Sequence, residues 1–150
     1  MRRHAAIFTV SLILATGAAT AEDLVNVDRT GLALEGYDPV AFFTEGRALE
    51  GQTGITTRHR GATYRFRSPE NKAMFETEPD RYAPAFGGFC AYGAAKGYTA
   101  PVKIETWQIF QDRLVLNYDH KVKALFDVDR GGFLGKADAN WPSIVAREGK

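Results

Sequence analysis

Ile55-Thr56-Thr57-Arg58-His59-Arg60-Gly61-Ala62-Thr63-Tyr64-Arg65-Phe66-Arg67-Ser68-Pro69-Glu70-Asn71 is the run whose reading decides the fold class. From Thr63 to Arg67 the residues alternate. Tyr64 and Phe66 fall on one face, and Thr63, Arg65 and Arg67 on the other. That is the period of an antiparallel strand with one buried face. Arg60-Gly61-Ala62 separates it from a second strand, Ile55 to His59, so the pair reads as a hairpin. A helix start follows at once. Ser68 suits an N-cap, Pro69 suits the first helical position, and Glu70 favours the positive end of the helix dipole.

Outward toward the C-terminus, that helix is expected to turn Met74 and Phe75 inward and to stop at Glu78-Pro79. Asp80 to Pro84 reads as a turn or short helix. Phe86-Gly87-Gly88-Phe89-Cys90-Ala91-Tyr92-Gly93 then gathers three glycines, three aromatic residues and the only cysteine of the chain. Trp107 to Phe110 and Leu114 to Tyr118 read as a second hairpin around Gln111-Asp112-Arg113. Asp119 can cap a helix whose Val122, Leu125 and Phe126 recur at the spacing of a core-facing stripe. Gly131-Gly132 is expected to break that helix. Ala137 to Arg147 reads as the last one, with Trp141, Ile144 and Val145 on one face and Trp141-Pro142 as an alternative start.

Outward toward the N-terminus, Gly36-Tyr37-Asp38-Pro39 reads as a turn, since Gly permits positive φ and a residue before Pro avoids helix. Val40 to Phe43 is a strand or a single helical turn, and Glu22 to Leu34 an extended lead-in. Hairpins and helices do not alternate as βαβ. The fold class expected is therefore α+β: a small antiparallel sheet of two hairpins packed against about three helices.

The first residues read differently. Arg2 and Arg3 precede an uncharged run from Ala5 to Ala15, and Ala19-Thr20-Ala21 fits the small-x-small rule of signal peptidase. The run is shorter than the ~20 residues a membrane span needs. Residues 1–21 are thus expected to be a signal peptide cleaved after Ala21, and 22–150 one periplasmic or secreted domain. The arginine pair leaves the Sec and twin-arginine routes both open. The whole chain carries 19 Lys and Arg against 18 Asp and Glu; removing Arg2 and Arg3 leaves 17 against 18, or −1. So balanced a charge offers no electrostatic footprint for nucleic acid or an anionic membrane. A single Cys excludes an intramolecular disulfide.

The order of these elements resembles the YHS family, in particular its exported single-domain members. The matching residues are Gly36-Tyr37-Asp38-Pro39-Val40-Ala41, then Gly61 and Tyr64-Arg65-Phe66-Arg67-Ser68. Asn71, Phe75, Pro79 and Tyr82-Ala83-Pro84 follow. Gly87-Gly88-Phe89-Cys90-Ala91, Leu116-Asn117-Tyr118 and Ala137-Asp138-Ala139-Asn140-Trp141-Pro142 complete them. The resemblance spans nearly all of residues 22–150. It implies the fold, and a link to metal handling through cysteines. In this chain the places of those cysteines hold Ala41, Arg67 and Asn71.

Three residues are candidates for holding a copper or zinc ion: Cys90, His59 and His120. Thiolate suits Cu(I) and zinc, and imidazole suits both metals. They come from three distant segments and lack zinc-ligand spacing. The functional reading is an exported binding module with a metal ion or small ligand. The alternatives are a structural or interaction domain with an exported protein partner, and a thiol-dependent enzyme built on Cys90 and a histidine. Tyr37, Phe42, Phe43, Phe86, Phe89, Tyr92 and Tyr98 can line an apolar pocket or simply form the core. The sequence carries no phosphate loop, no HExxH and no dinucleotide fingerprint.

Overall fold

The computed structural model describes residues 24–149; the expected signal peptide lies outside the described residues. The fold is α+β. Strands β1 (Gln52–His59) and β2 (Ala62–Phe66) form one antiparallel pair, and β3 (Gln108–Phe110) and β4 (Arg113–Val115) form another. The helical segments are α1 (Pro39–Thr44), α2 (Pro69–Thr77), α3 (Pro79–Tyr82), α4 (Ala91–Lys96), α5 (His120–Asp127) and α6 (Arg130–Glu148). Three of them, α2, α5 and α6, reach eight residues or more. The hairpins are two separate two-stranded sheets rather than one sheet.

Both hairpins close through two-residue loops. Arg60 and Gly61 have φ of 50° and 79°, and Gln111 and Asp112 have φ of 50° and 58°. Two successive left-handed residues make the turn whose twist matches that of paired strands. The first loop is thus one residue shorter than Arg60-Gly61-Ala62, because Ala62 pairs with His59. β1 begins earlier than Ile55, at Gln52, with a bulge before Thr56. Along β2, Ala62, Tyr64 and Phe66 are buried and Thr63 and Arg65 are half-buried, as the alternation requires.

The helix caps lie where the sequence places them. The Ser68 hydroxyl accepts from the Asn71 amide at 3.1 Å, and Asp119 Oδ1 accepts from the Val122 amide at 2.8 Å. Val40 to Phe43 takes the helical alternative, in α1. Three expectations are corrected. Met74 is 39 % exposed and Leu125 50 % exposed, because Phe75 and Phe126 alone occupy the buried positions of their short helices. Gly131-Gly132 does not break a helix. The break falls earlier, and Asp129 caps α6 by accepting from the Gly132 amide at 2.9 Å. α6 then continues past Pro142 as one 19-residue helix.

The core has two clusters. Val40, Phe42, Tyr64, Phe66, Phe75 and Leu116 lie in the first, around β2 and α2. Phe86, Val115, Phe126, Leu134, Ala137 and Ile144 lie in the second, around α4 and α6. β4 and the residue after it feed both, through Leu114 and Leu116 on one side and Val115 on the other. Among the described residues no helix is long and apolar enough to cross a membrane.

Candidate functional site

Cys90 is 1 % exposed. It is the N-cap of α4, and its sulfur accepts from the Gly93 amide at 3.4 Å. The thiol also donates toward Asn117 Oδ1, at 3.7 Å. Burial pushes the thiol above its ordinary value, opposed by backbone amides and reinforced by the nearby Asp119 charge. A reactive thiol needs the opposite, a lowered pKa and access. Asn117 is itself fully buried, its Oδ1 accepting from the Tyr92 amide at 3.2 Å. Its backbone amide donates to the Thr106 hydroxyl at 2.9 Å. Its Nδ2 has no partner among the described residues.

The two histidines stand elsewhere. His59 ends β1, with its ring edge-on to Phe75 and its Nε2 3.2 Å from Asp80 Oδ1. His120 opens α5 and is exposed. Cys90, His59 and His120 are not brought together. Among the described residues no three His, Cys, Asp or Glu side chains form a metal-holding group.

The positions that the family resemblance marks do converge, around a different group. Asp38 is fully buried. Its Oδ1 accepts from the Val40 and Ala41 amides at 2.8 and 3.3 Å, which caps α1. Its Oδ2 accepts from the Arg67 amide at 2.8 Å and from Asn71 Nδ2 at 2.7 Å. A carboxylate thus sits among Ala41, Arg67 and Asn71, with every neighbour a donor. Such an arrangement satisfies a buried anion and ties α1, the end of β2 and α2 into one unit.

A cleft of about 290 Å³ opens on another face. Phe86 and Trp141 line it, with ring centroids 5.7 Å apart. Arg60, Arg81 and Arg113 also line it, against the two acids Asp80 and Asp138, so these five sum to +1. Arg113 lies 5.0 Å over the Phe86 ring, and its Nη1 donates to both Asp138 oxygens at 2.9 and 3.0 Å. Arg60 Nη2 donates to Asp80 at 2.9 Å.

The cleft wall is built on unusual backbone. Phe86, Gly87 and Gly88 have φ of 53°, 59° and 83°, and the bulky Phe86 is costly there. Gly87 has no alternative. A Cβ on it would lie 2.0 Å from the Leu24 carbonyl oxygen, because the lead-in chain presses against this turn. The Asn26 amide donates to the Gly87 carbonyl at 2.9 Å and Asn26 Nδ2 to the Gly88 carbonyl at 3.2 Å. The sequence announced Phe86, Gly87 and Gly88 by their density but gave no sign that Arg113 or Trp141 would meet them. Those arrive from 27 and 55 residues away from Phe86.

Comparison with known proteins gives no matching family model, no matching curated protein and no matching solved structure.

Proposed function

We propose that this chain is an exported binding module of YHS type whose ligand seat is the cleft between Phe86, Arg113 and Trp141. The single observation that carries the reading is the strained turn at the cleft wall. Phe86 is held in a left-handed conformation by a buried ring, by Asn26 and by the lead-in chain, and strain of this kind collects at binding sites. The YHS reading draws support from the convergence of Ala41, Arg67 and Asn71 on Asp38, three positions that the resemblance alone connects.

The same convergence bears on metal. Where the metal-linked relatives carry cysteines, this chain surrounds a buried carboxylate with hydrogen-bond donors and leaves no lone pair for an ion. Copper or zinc would have to reach Cys90 by opening α4, since the sulfur is sealed. The geometry therefore favours an organic ligand over a metal ion, and either over thiol catalysis. A protein-partner reading has its own observation: Leu125 and Val128, three residues apart at the end of α5, are 50 % and 82 % exposed.

The test is a set of ¹H–¹⁵N spectra of the 22–150 protein, titrated separately with copper, zinc and a panel of small organic acids, amines and neutral aromatics. Shifts confined to Gly87, Gly88 and the Trp141 indole are expected for some member of the panel. Shifts centred on Cys90 and the histidines with a metal, and none at the cleft with any organic probe, would overturn the proposal.

A further inference from the structure

Resting on that reading of the cleft, we infer that its ligand is a small organic carboxylate with an apolar body, gripped by the free side of the Arg113 guanidinium. The argument starts from how Arg113 is held. Asp138 takes up Nη1 alone. Nε and Nη2, which lie along one edge of the planar group, have no partner among the described residues. That edge is a fork whose two N–H bonds match the two oxygens of a carboxylate.

The guanidinium is also preorganised. The Phe86 ring lies against one face, and Asp138 anchors it from the side, so little rotamer freedom is left to lose on binding. The side chain is still about a third exposed and lines the cleft. A lysine in this place would offer a point charge with no such edge. The remaining lining explains the rest of the ligand. Phe86, Trp141, Pro84 and Pro142 supply apolar surface, while Arg60 and Arg81 offset the two acids of the cleft. At about 290 Å³ the space is at the lower end of ligand pockets, which run from ~300 Å³ upward, so the ligand is small. The same chemistry occurs in a free aromatic or branched acid and in the C-terminus of a peptide ending in an apolar residue.

Benzoate and benzamide separate the charge from the ring. Titrated into the wild-type 22–150 protein, benzoate is expected to shift Gly87, Gly88 and the Trp141 indole saturably. Benzamide is expected to bind at least tenfold more weakly. A tripeptide ending in Phe, with free and with amidated C-terminus, distinguishes the two sources of carboxylate: a free form that outbinds both benzoate and its own amide identifies a chain end, and benzoate outbinding the free form a small acid. Arg113→Lys, checked by circular dichroism, keeps the charge and is expected to lose at least tenfold in benzoate affinity. Equal binding of benzoate and benzamide at the cleft would overturn the carboxylate assignment and leave the cleft standing as a ligand seat. Binding of every probe class away from the cleft, or of none, would overturn both.

Discussion

Asp38 has no contact with water and four donors. Two come from amides two and three positions on, and two from Arg67 and Asn71, which are 29 and 33 residues away. Asp38→Ala would strand the buried Val40 and Ala41 amides and unpair the Arg67 and Asn71 donors, which lie nearer the surface. At ~1–3 kcal/mol for each buried group left unpaired, with partial relaxation, the expected loss is about 3 kcal/mol in denaturant unfolding. A loss below ~1 kcal/mol would mean that the network contributes little, since that is the usual size of one ordinary hydrogen bond. Only the local half of this role was legible in the sequence. Asp before Pro announces a turn or cap, but no nearby pattern announces two partners that arrive from the end of a strand and the start of a helix. Tyr64 gives a second test at this scale. Burial pushes its hydroxyl up to about 12, against a smaller opposing pull from Arg60. The folded state therefore resists ionisation that the unfolded chain accepts at ~10. The stability this contributes is complete below pH 10 and is lost as pH climbs toward 12. Unfolding free energy measured across that window should fall for the wild type, and the fall should shrink in Tyr64→Phe. Identical curves would show that Tyr64 is not the group responsible.

At the scale of elements, α6 separates two effects of glycine. Gly135 is exposed, and a Cβ there would meet nothing within 4 Å. Gly135→Ala should stabilise the protein by about 0.5–1 kcal/mol, the ordinary gain of alanine over glycine inside a helix. Gly132 lies on the same helix, yet a Cβ there would fall 2.0 Å from Asp129 Oδ2, on the carboxylate whose other oxygen caps the helix. Gly132→Ala should expel the cap, which is worth ~1 kcal/mol, and lower the melting temperature despite the better propensity of alanine. Parallel melting curves of the two variants check the contrast; equal shifts would refute it. The pair also shows why α6 was only half legible. Two adjacent glycines read as a break, because propensity treats them as costs in an interior. Asp129 makes them first-turn residues, where one of them is required for space. The hairpins and the Ser68 and Asp119 caps were legible because their signals lie within a few residues. Met74 and Leu125 were misplaced because a helix of eight or nine residues can present so narrow a buried face that one aromatic side chain fills it.

Across the molecule, the two clusters of the core carry one tryptophan each: Trp107 packs against the first, 5.1 Å from Phe42, and Trp141 against the second. They share β4. The Thr106 hydroxyl lies 2.8 Å from the Asn117 carbonyl and also receives the Asn117 amide, which joins the chain segments before β3 and after β4. A domain of this size with a shared strand is expected to unfold as one unit. Trp107→Phe and Trp141→Phe each leave one reporter. Within each variant, the fluorescence and far-UV circular dichroism midpoints in urea should coincide. Separate midpoints would show that the clusters are independent. The α+β class followed from the order of elements in the chain. The cleft did not, because it forms where the Ala85–Gly88 turn, the tip of β4 and the middle of α6 meet, and that meeting is a property of the packed whole.

The seal over Cys90 has a practical side. The chain has one sulfhydryl, and folding hides it behind the first turn of α4. A cysteine introduced on the outside would then be the sole group open to a maleimide or a nitroxide reagent under native conditions. Ser143, exposed one residue past Pro142, is such a place. A spin label there would stand two residues along α6 from Trp141, on a different side of the helix, and leave every native residue that lines the cleft unchanged.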